Sequence, residues 1–283
     1  MTGAHNFDLL ERDIAKANIL LQAYSYDGTS TWGKGADQGY GVFLEALQNV
    51  EFYDIESNTE PYKQGIATLP ELTDFTSPDD MVSKVYQQTK QVLSMQKFPT
   101  FFGGEHSVSI GIMRAMREQY PNMTVLQIDA HSDLRPTYND SQYNHACAMH
   151  EVSRHCNTVQ VGIRSMDSSE LEYMDQSRVY FAKDIHHHDS WMDEAISQLS
   201  DDVYLTFDLD ALDPSIMPAT GTPEPGGLQW YQTLKFLQKV IQSKNLVGFD
   251  IVEFAPIAGL HHPQNVVANL YYKILAYKYC DTN

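Results

Sequence analysis

The stretch Thr124-Val125-Leu126-Gln127-Ile128-Asp129-Ala130-His131-Ser132-Asp133 decides how this chain folds. Val125 to Ile128 reads as a buried strand, and the polar residues begin where that strand stops. Asp129, His131 and Asp133 are spaced two apart, which on an extended chain puts them on one face. A second stretch has the same design: Val203-Tyr204-Leu205-Thr206-Phe207 leads into Asp208-Leu209-Asp210, then Asp213-Pro214. Carboxylates brought this close repel one another unless cations sit between them. Two divalent metals are the simplest resolution.

Working outward, strand-like and helix-like segments alternate. Residues 17–26 begin as a helix tail or strand, 27–41 form a loop, and 42–48 read as a helix. A strand is expected at 50–55 and a helix at 79–95, where Met81, Val85, Val92 and Met95 follow helical spacing. Then come strand 98–102, helix 107–118, strand 124–128, helix 146–154, strand 157–162, helix 191–199 and strand 202–207. Helix 229–243, strand 246–253 and helix 265–279 close the chain. This alternation predicts an α/β fold, a mostly parallel central sheet flanked by helices on both faces. No linker or repeat divides it, so one domain over 1–283 is expected.

In open α/β sheets, sites form outside the carboxyl ends of strands. Four strands here end in polar chemistry: 98–102 before Gly103-Gly104-Glu105-His106, 124–128 before Asp129, 203–207 before Asp208, and 246–251 before Glu253. His106, Asp129, His131, Asp133, Asp208 and Asp210 make an oxygen-rich set without thiolate, which favours Mn²⁺ over Zn²⁺ or copper. Six ligands exceed what one catalytic ion uses and suit two ions with shared carboxylates. As separate residues these aspartates would read as caps and turn formers; together they do not.

Of 283 residues, 42% are hydrophobic and 20% charged, enough for a substantial core and no sign of disorder. The net charge of −18 argues against a nucleic-acid partner and favours small cationic ligands. Cys147, Cys156 and Cys280 form no framework of paired cysteines, so a reducing, cytoplasmic setting is expected. The polar, acidic start over 1–16 does not read as a secretory signal, and no apolar run approaches the roughly 20 residues of a membrane span.

The chain resembles the ureohydrolase family of arginases and agmatinases. The matching residues are Gly103-Gly104-Glu105-His106-Ser107, Asp129-Ala130-His131-Ser132-Asp133, Phe207-Asp208-Leu209-Asp210-Ala211-Leu212-Asp213-Pro214, the run Thr220 to Leu228, and Asp250-Ile251-Val252-Glu253. Tyr26-Asp27-Gly28-Thr29-Ser30 and Gly35-Ala36-Asp37-Gln38-Gly39 look like the family's N-terminal loop. The resemblance implies an arginase-like α/β/α fold and two Mn²⁺ per subunit. One ion would take His106, Asp129, Asp133 and Asp208, the other Asp129, His131, Asp208 and Asp210. It further implies that Glu253 pairs with a substrate guanidinium, that His145 is a mobile acid/base, and that the chain assembles as a trimer or hexamer. Glu105 stands where the family commonly has Asp, and Tyr40 where it usually has Pro.

A guanidinium is resonance-stabilised and a poor electrophile. Its hydrolysis needs a strong nucleophile, which a metal-bridging hydroxide supplies, and an acid for the departing amine. Asp133 is the expected acceptor of the hydroxide proton and His145 the expected donor. The stretch Pro218–Leu228 looks more like agmatinases than arginases, so the expected reaction is agmatine to putrescine and urea. Arginase or a guanidino-acid hydrolase such as guanidinobutyrase is the alternative. Metallophosphoesterases share the DxH start but need GDxxD and GNH[DE] motifs that are not here; a non-catalytic homologue would need a lost ligand, and all six are present. A Cys147–His145 nucleophile pair is disfavoured. His186-His187-His188 reads as a solvated loop, His261-His262 as surface, Tyr271, Tyr272, Tyr277 and Tyr279 as core, and Arg164 as an organiser of loops through ion pairs.

Overall fold

The computed structural model describes residues 9–280; over 1–8, the expectation of no secretory signal lies outside the described residues. The strands are β1 (Ile19–Tyr24), β2 (Ile66–Thr68), β3 (Phe98–Gly103), β4 (Thr124–Ile128), β5 (Asn157–Val161), β6 (Val179–Tyr180), β7 (Asp202–Asp208) and β8 (Asn245–Val252). They form one sheet in the order β2-β1-β3-β8-β7-β4-β5-β6, with every pairing parallel. The helices are α1 (Gly39–Leu47), α2 (Pro78–Ser94), α3 (Val108–Gln119), α4 (His150–Ser153), α5 (Ala182–Ile185), α6 (Ser190–Ser197), α7 (Trp230–Ser243) and α8 (His262–Lys278).

Because side chains alternate along a strand, the sheet feeds two cores. Ile19, Leu21 and Ala23 pack with Phe43 of α1, Trp191 of α6, Phe236 of α7 and Tyr271 of α8. Leu20 and Tyr24 face the other way, into a second core that also takes in Val85 of α2, Met113 of α3 and Val152 of α4. The result is the expected three-layer α/β/α domain. None of the helices among the described residues is long and apolar enough to cross a membrane.

Local chemistry sets the boundaries. Helix α2 starts where Ser77 accepts the N–H of Asp80, with Pro78 at the first position and Asp79 and Asp80 in the first turn. Residues 50–55 are not a strand: the Asp54 carboxylate accepts the Ser57 N–H and hydroxyl and turns the chain instead. The expected helix 146–154 is broken. Asn144 caps a single 3₁₀ turn, His145–Cys147, and only His150–Ser153 is α-helical. Helix α1 begins inside the expected loop 27–41, at Gly39. The edge strands β2 and β6, of three and two residues, are too short to show a period in the sequence.

Candidate metal centre

Four neighbouring strands in the middle of the sheet, β3, β8, β7 and β4, end on the same side, and the expected ligands lie there. Past β3 the chain runs through Gly104, where any Cβ would stand 1.9 Å from the Tyr26 carbonyl oxygen, so only glycine fits. His106 follows and is buried. Its Nδ1 lies 3.1 Å from Asp129 Oδ2, 3.1 Å from Asp133 Oδ2 and 3.2 Å from Asp208 Oδ2. It is also hydrogen-bonded to none of them.

The other ring nitrogen fixes how the ring is turned. His106 Nε2 is 2.9 Å from Thr206 Oγ1. That hydroxyl donates its one proton to Asp250 Oδ1 at 2.7 Å, while Tyr204 OH donates to Asp250 Oδ2 at 2.6 Å. Thr206 must therefore accept, so Nε2 carries a proton, and in the neutral ring Nδ1 is the bare lone pair. Burial opposes charge on His106, yet Asp129, Asp133 and Asp208 raise the imidazole well above its usual range, so without metal Nδ1 takes up a proton. The neutral ring's lone pair, aimed at three carboxylate oxygens, fits a divalent cation in that proton's place.

A second group shares Asp129 with the first: Asp129, His131 and Asp210 also bring ligand atoms within 4.8 Å of one another. His131 Nδ1 is 3.0 Å from Asp210 Oδ2. Asp210 Oδ1 accepts the Ala130 N–H, Asp208 Oδ1 accepts the Asp210 N–H, and Asp129 takes bonds from His131 N–H and Gln127 Nε2. All six expected ligands thus meet in one cluster, five of them buried and His131 half-buried. Burial, then Asp133 and Asp210, push the Asp129 carboxyl up to about 7. Burial, then Asp210 and Asp129, also raise Asp208 well above the carboxylate range. Burial opposes charge on His131, yet Asp210 beside it raises the imidazole to about 11. The pattern is that of a site short of positive charge.

Glu253 is also here. Its Oε1 accepts the His106 N–H at 2.7 Å, and burial, with Glu105 nearby, pushes its carboxyl well up. Asp133 and Glu253 hold φ of +52° and +66°, a left-handed conformation that costs non-glycine residues about 1–3 kcal/mol and clusters at functional sites. His145 stands on the wall of an adjoining cavity of about 230 Å³, with His131, Asp133, Arg135, Tyr138 and Asp167.

Several supporting residues carried little signal in the sequence. Thr206 and Asp250 orient His106 from within strands; Thr206 is visible only as a polar residue in an apolar run, and Asp250 only as the first residue of the matching run Asp250 to Glu253, without a role. Glu170 accepts from Ser132 Oγ and from the Leu134 and Asp167 N–H groups, holding the chain after Asp133. Arg164 organises loops as expected but through carbonyls, donating to Asp210 O at 2.6 Å and Glu224 O at 2.9 Å. The disfavoured Cys147–His145 pair is not formed: burial pushes the Cys147 thiol up to about 12, and His145 Nδ1 turns to Thr29. His186, His187, His188, His261 and His262 are exposed, and Tyr271, Tyr272 and Tyr277 are buried.

A family model described as the arginase family matches residues 17–276. The N(1)-aminopropylagmatine ureohydrolase of Synechocystis is 35% identical over 93% of this chain and 90% of its own length. The agmatinase of Pyrococcus horikoshii is 31% identical over 85% of each chain. The crystal structure of the agmatine ureohydrolase of Thermoplasma volcanium matches with a TM-score of 0.86 at 28% identity, over 95% of this chain and 92% of that one.

Proposed function

The chain belongs to the arginase family of ureohydrolases, and on that premise we propose that it hydrolyses agmatine to putrescine and urea at a two-manganese site. The observation that carries the reading is the orphaned His106 Nδ1 amid three carboxylates. His106, Asp129, Asp133 and Asp208 would hold one ion, and Asp129, His131, Asp208 and Asp210 the other. Such ions supply positive charge that brings the pKa of water down to near neutrality, and Mn²⁺ suits a donor set of imidazoles and carboxylates.

The protein's own groups do the rest. Glu253 spends Oε1 on the His106 N–H and offers Oε2 to the guanidinium, whose charge returns the carboxyl to its ionised form. Asp133, itself within the cluster, accepts the proton lost by the attacking water. His145, on the cavity wall, delivers a proton to the departing amine. Asp167 on that wall adds negative charge, which favours a substrate with a second cationic end over one ending in a carboxylate. Arg135 is already engaged by Glu170 at 3.4 Å and by the Tyr138 ring at 4.6 Å. The family resemblance extends the proposal to a cytoplasmic homo-oligomer, a trimer or hexamer.

The Synechocystis relative favours a second reading, N(1)-aminopropylagmatine as substrate. The test is urea release by the Mn²⁺-reconstituted protein with agmatine, N(1)-aminopropylagmatine, arginine and 4-guanidinobutyrate at equal concentration, with a chelated control. Metal-dependent preference for agmatine is expected. Preference for the aminopropyl compound replaces the substrate, and no urea from any of the four overturns the reading.

A further inference from the structure

The N-terminal loop reaches the site through one hydroxyl. Thr29 Oγ1 donates to Glu105 Oε1 at 2.5 Å, and the Thr29 N–H donates to Glu105 Oε2 at 2.7 Å. The same Oγ1 accepts the His145 N–H at 3.0 Å and lies 3.3 Å from His145 Nδ1. A hydroxyl has one proton and two lone pairs. With the proton given to Glu105 and one lone pair to the His145 amide, the remaining lone pair can only accept, so the imidazole must present Nδ1–H to it.

From this we infer that Thr29 is a positioning residue: it fixes the ring and tautomer of His145 so that Nδ1 carries a permanent proton and Nε2 is the nitrogen free to exchange one. That Nε2 serves the leaving amine rests on the function proposed above; the tautomer does not. In the reaction the C–N bond breaks, the Nε2 proton passes to the amine nitrogen, and the imidazole is left neutral with Nδ1–H still on Thr29. Were the tautomer reversed, the pocket-facing nitrogen of the neutral ring would carry a proton it could not reload by accepting another.

The loop is built to hold this position. Asp27 Oδ2 accepts the Gly35 N–H at 2.6 Å and the Ala36 N–H at 3.3 Å, closing the loop on itself. Ser30 Oγ gives Glu105 a further bond, and the Gly33 N–H donates to the Gly221 carbonyl across the site at 2.9 Å. Glu105 is wholly buried, and among the described residues these donors and Ser107 Oγ bond its carboxyl group. On the far side, the Tyr138 ring stands edge-on to His145, centroids 6.2 Å apart. The geometry has the form of the Thr206–Asp250 device at His106: a threonine hydroxyl committed to a buried carboxylate, reading out as a histidine tautomer.

The test pairs Thr29→Val, which keeps the shape and loses the hydroxyl, with Thr29→Ser, which keeps the hydroxyl. The first readout is the ¹⁵N signature of the His145 ring in the full chain free of paramagnetic metal, His145→Asn assigning the signal. Nδ1–H is expected in the native protein and in Thr29→Ser, with Nε2–H appearing in Thr29→Val. The second is steady-state kinetics with agmatine: kcat falling about 10- to 100-fold in Thr29→Val at nearly unchanged KM, and largely restored in Thr29→Ser. An Nε2–H ring in the native protein, or the same tautomer in Thr29→Val, overturns the inference. A tautomer that shifts while kcat stays native upholds Thr29 as the positioning residue and removes His145 from the proposed reaction.

Discussion

Glu253 Oε1 accepts the backbone N–H of His106 at 2.7 Å, so the acid at the end of β8 and the histidine after β3 are locked to one another. These strands are sheet neighbours although 147 residues separate the two groups in sequence. The bond fixes which carboxylate oxygen stays free. It also ties the acid proposed to face the substrate to the backbone of an expected metal ligand, so neither moves alone.

Glu253→Gln keeps the shape and the His106 bond but loses the charge toward a guanidinium. A hydrogen bond to a charged group is worth about 1.5–3 kcal/mol, so kcat/KM should fall about 10- to 150-fold with manganese still bound. Metal analysis beside the kinetics checks this. Loss of manganese in step with activity would mean that the carboxylate supports the metal cluster and not the substrate.

The Thr206–Asp250 pair holds His106 Nδ1 toward the carboxylates. Thr206→Val and Asp250→Asn should each weaken manganese binding about 10- to 100-fold while leaving the ligand atoms in place. Equilibrium dialysis measures it. Native affinity in both variants would show that packing alone sets the ring.

Without metal, the cluster should make stability fall as pH rises. Asp129 is pushed up to about 7 by burial and by Asp133 and Asp210, so the folded chain binds the extra proton between about 4 and 7 and loses that stabilisation through the window. His131, raised to about 11 by Asp210 against the effect of burial, continues the loss above about 6.5. Asp210 is held below the usual range by His131 despite burial, and its contribution is lost only in acid below about 4. Metal binding needs those protons gone. The gap in Tm between Mn²⁺-loaded and chelated protein should therefore widen steadily from pH 5 to pH 8. A gap independent of pH would show that the ligands are already unprotonated in the metal-free chain.

The central strands were legible because each is an apolar run stopped by a charged residue, and that stop marks both the strand end and the site. Asp129, Asp208 and Glu253 announce themselves this way. What stayed hidden has no local pattern. Thr206 looks like an ordinary polar residue in a buried strand, and the matching run Asp250 to Glu253 gives Asp250 no role, until β7 and β8 pair and place Thr206 opposite Asp250. The Thr29–Glu105–His145 contact joins three segments 76 and 116 residues apart, and no spacing rule reports it. Residues 50–55 misled because their apolar content suits a strand, whereas the Asp54 carboxylate satisfies the backbone in a turn. The four-residue helix α4 lies where the Asn144 cap and the 3₁₀ turn at His145 interrupt the helix that the sequence suggests.

Arg164 offers a way to separate the two proposed metal sites experimentally. Its guanidinium donates to the carbonyls of Asp210 and Glu224, and at 3.2 Å to that of Ala211, so it braces the segments that carry Asp210 and the carboxylate near His131. Among the described residues none of its hydrogen bonds goes to His106, Asp133 or Asp208. A lysine has no planar fork and cannot reach these carbonyls together. Arg164→Lys should therefore weaken the ion on His131 and Asp210 while the ion on His106, Asp129 and Asp133 binds as before. Calorimetric titration of the metal-free protein should resolve two events of similar affinity in the native chain. In the variant one should stay in place and the other move at least about 10-fold weaker, with activity falling in step with the weaker site. If both events weaken together, the brace acts on the fold as a whole; a single native-like pair would show that backbone contacts hold Asp210 without it.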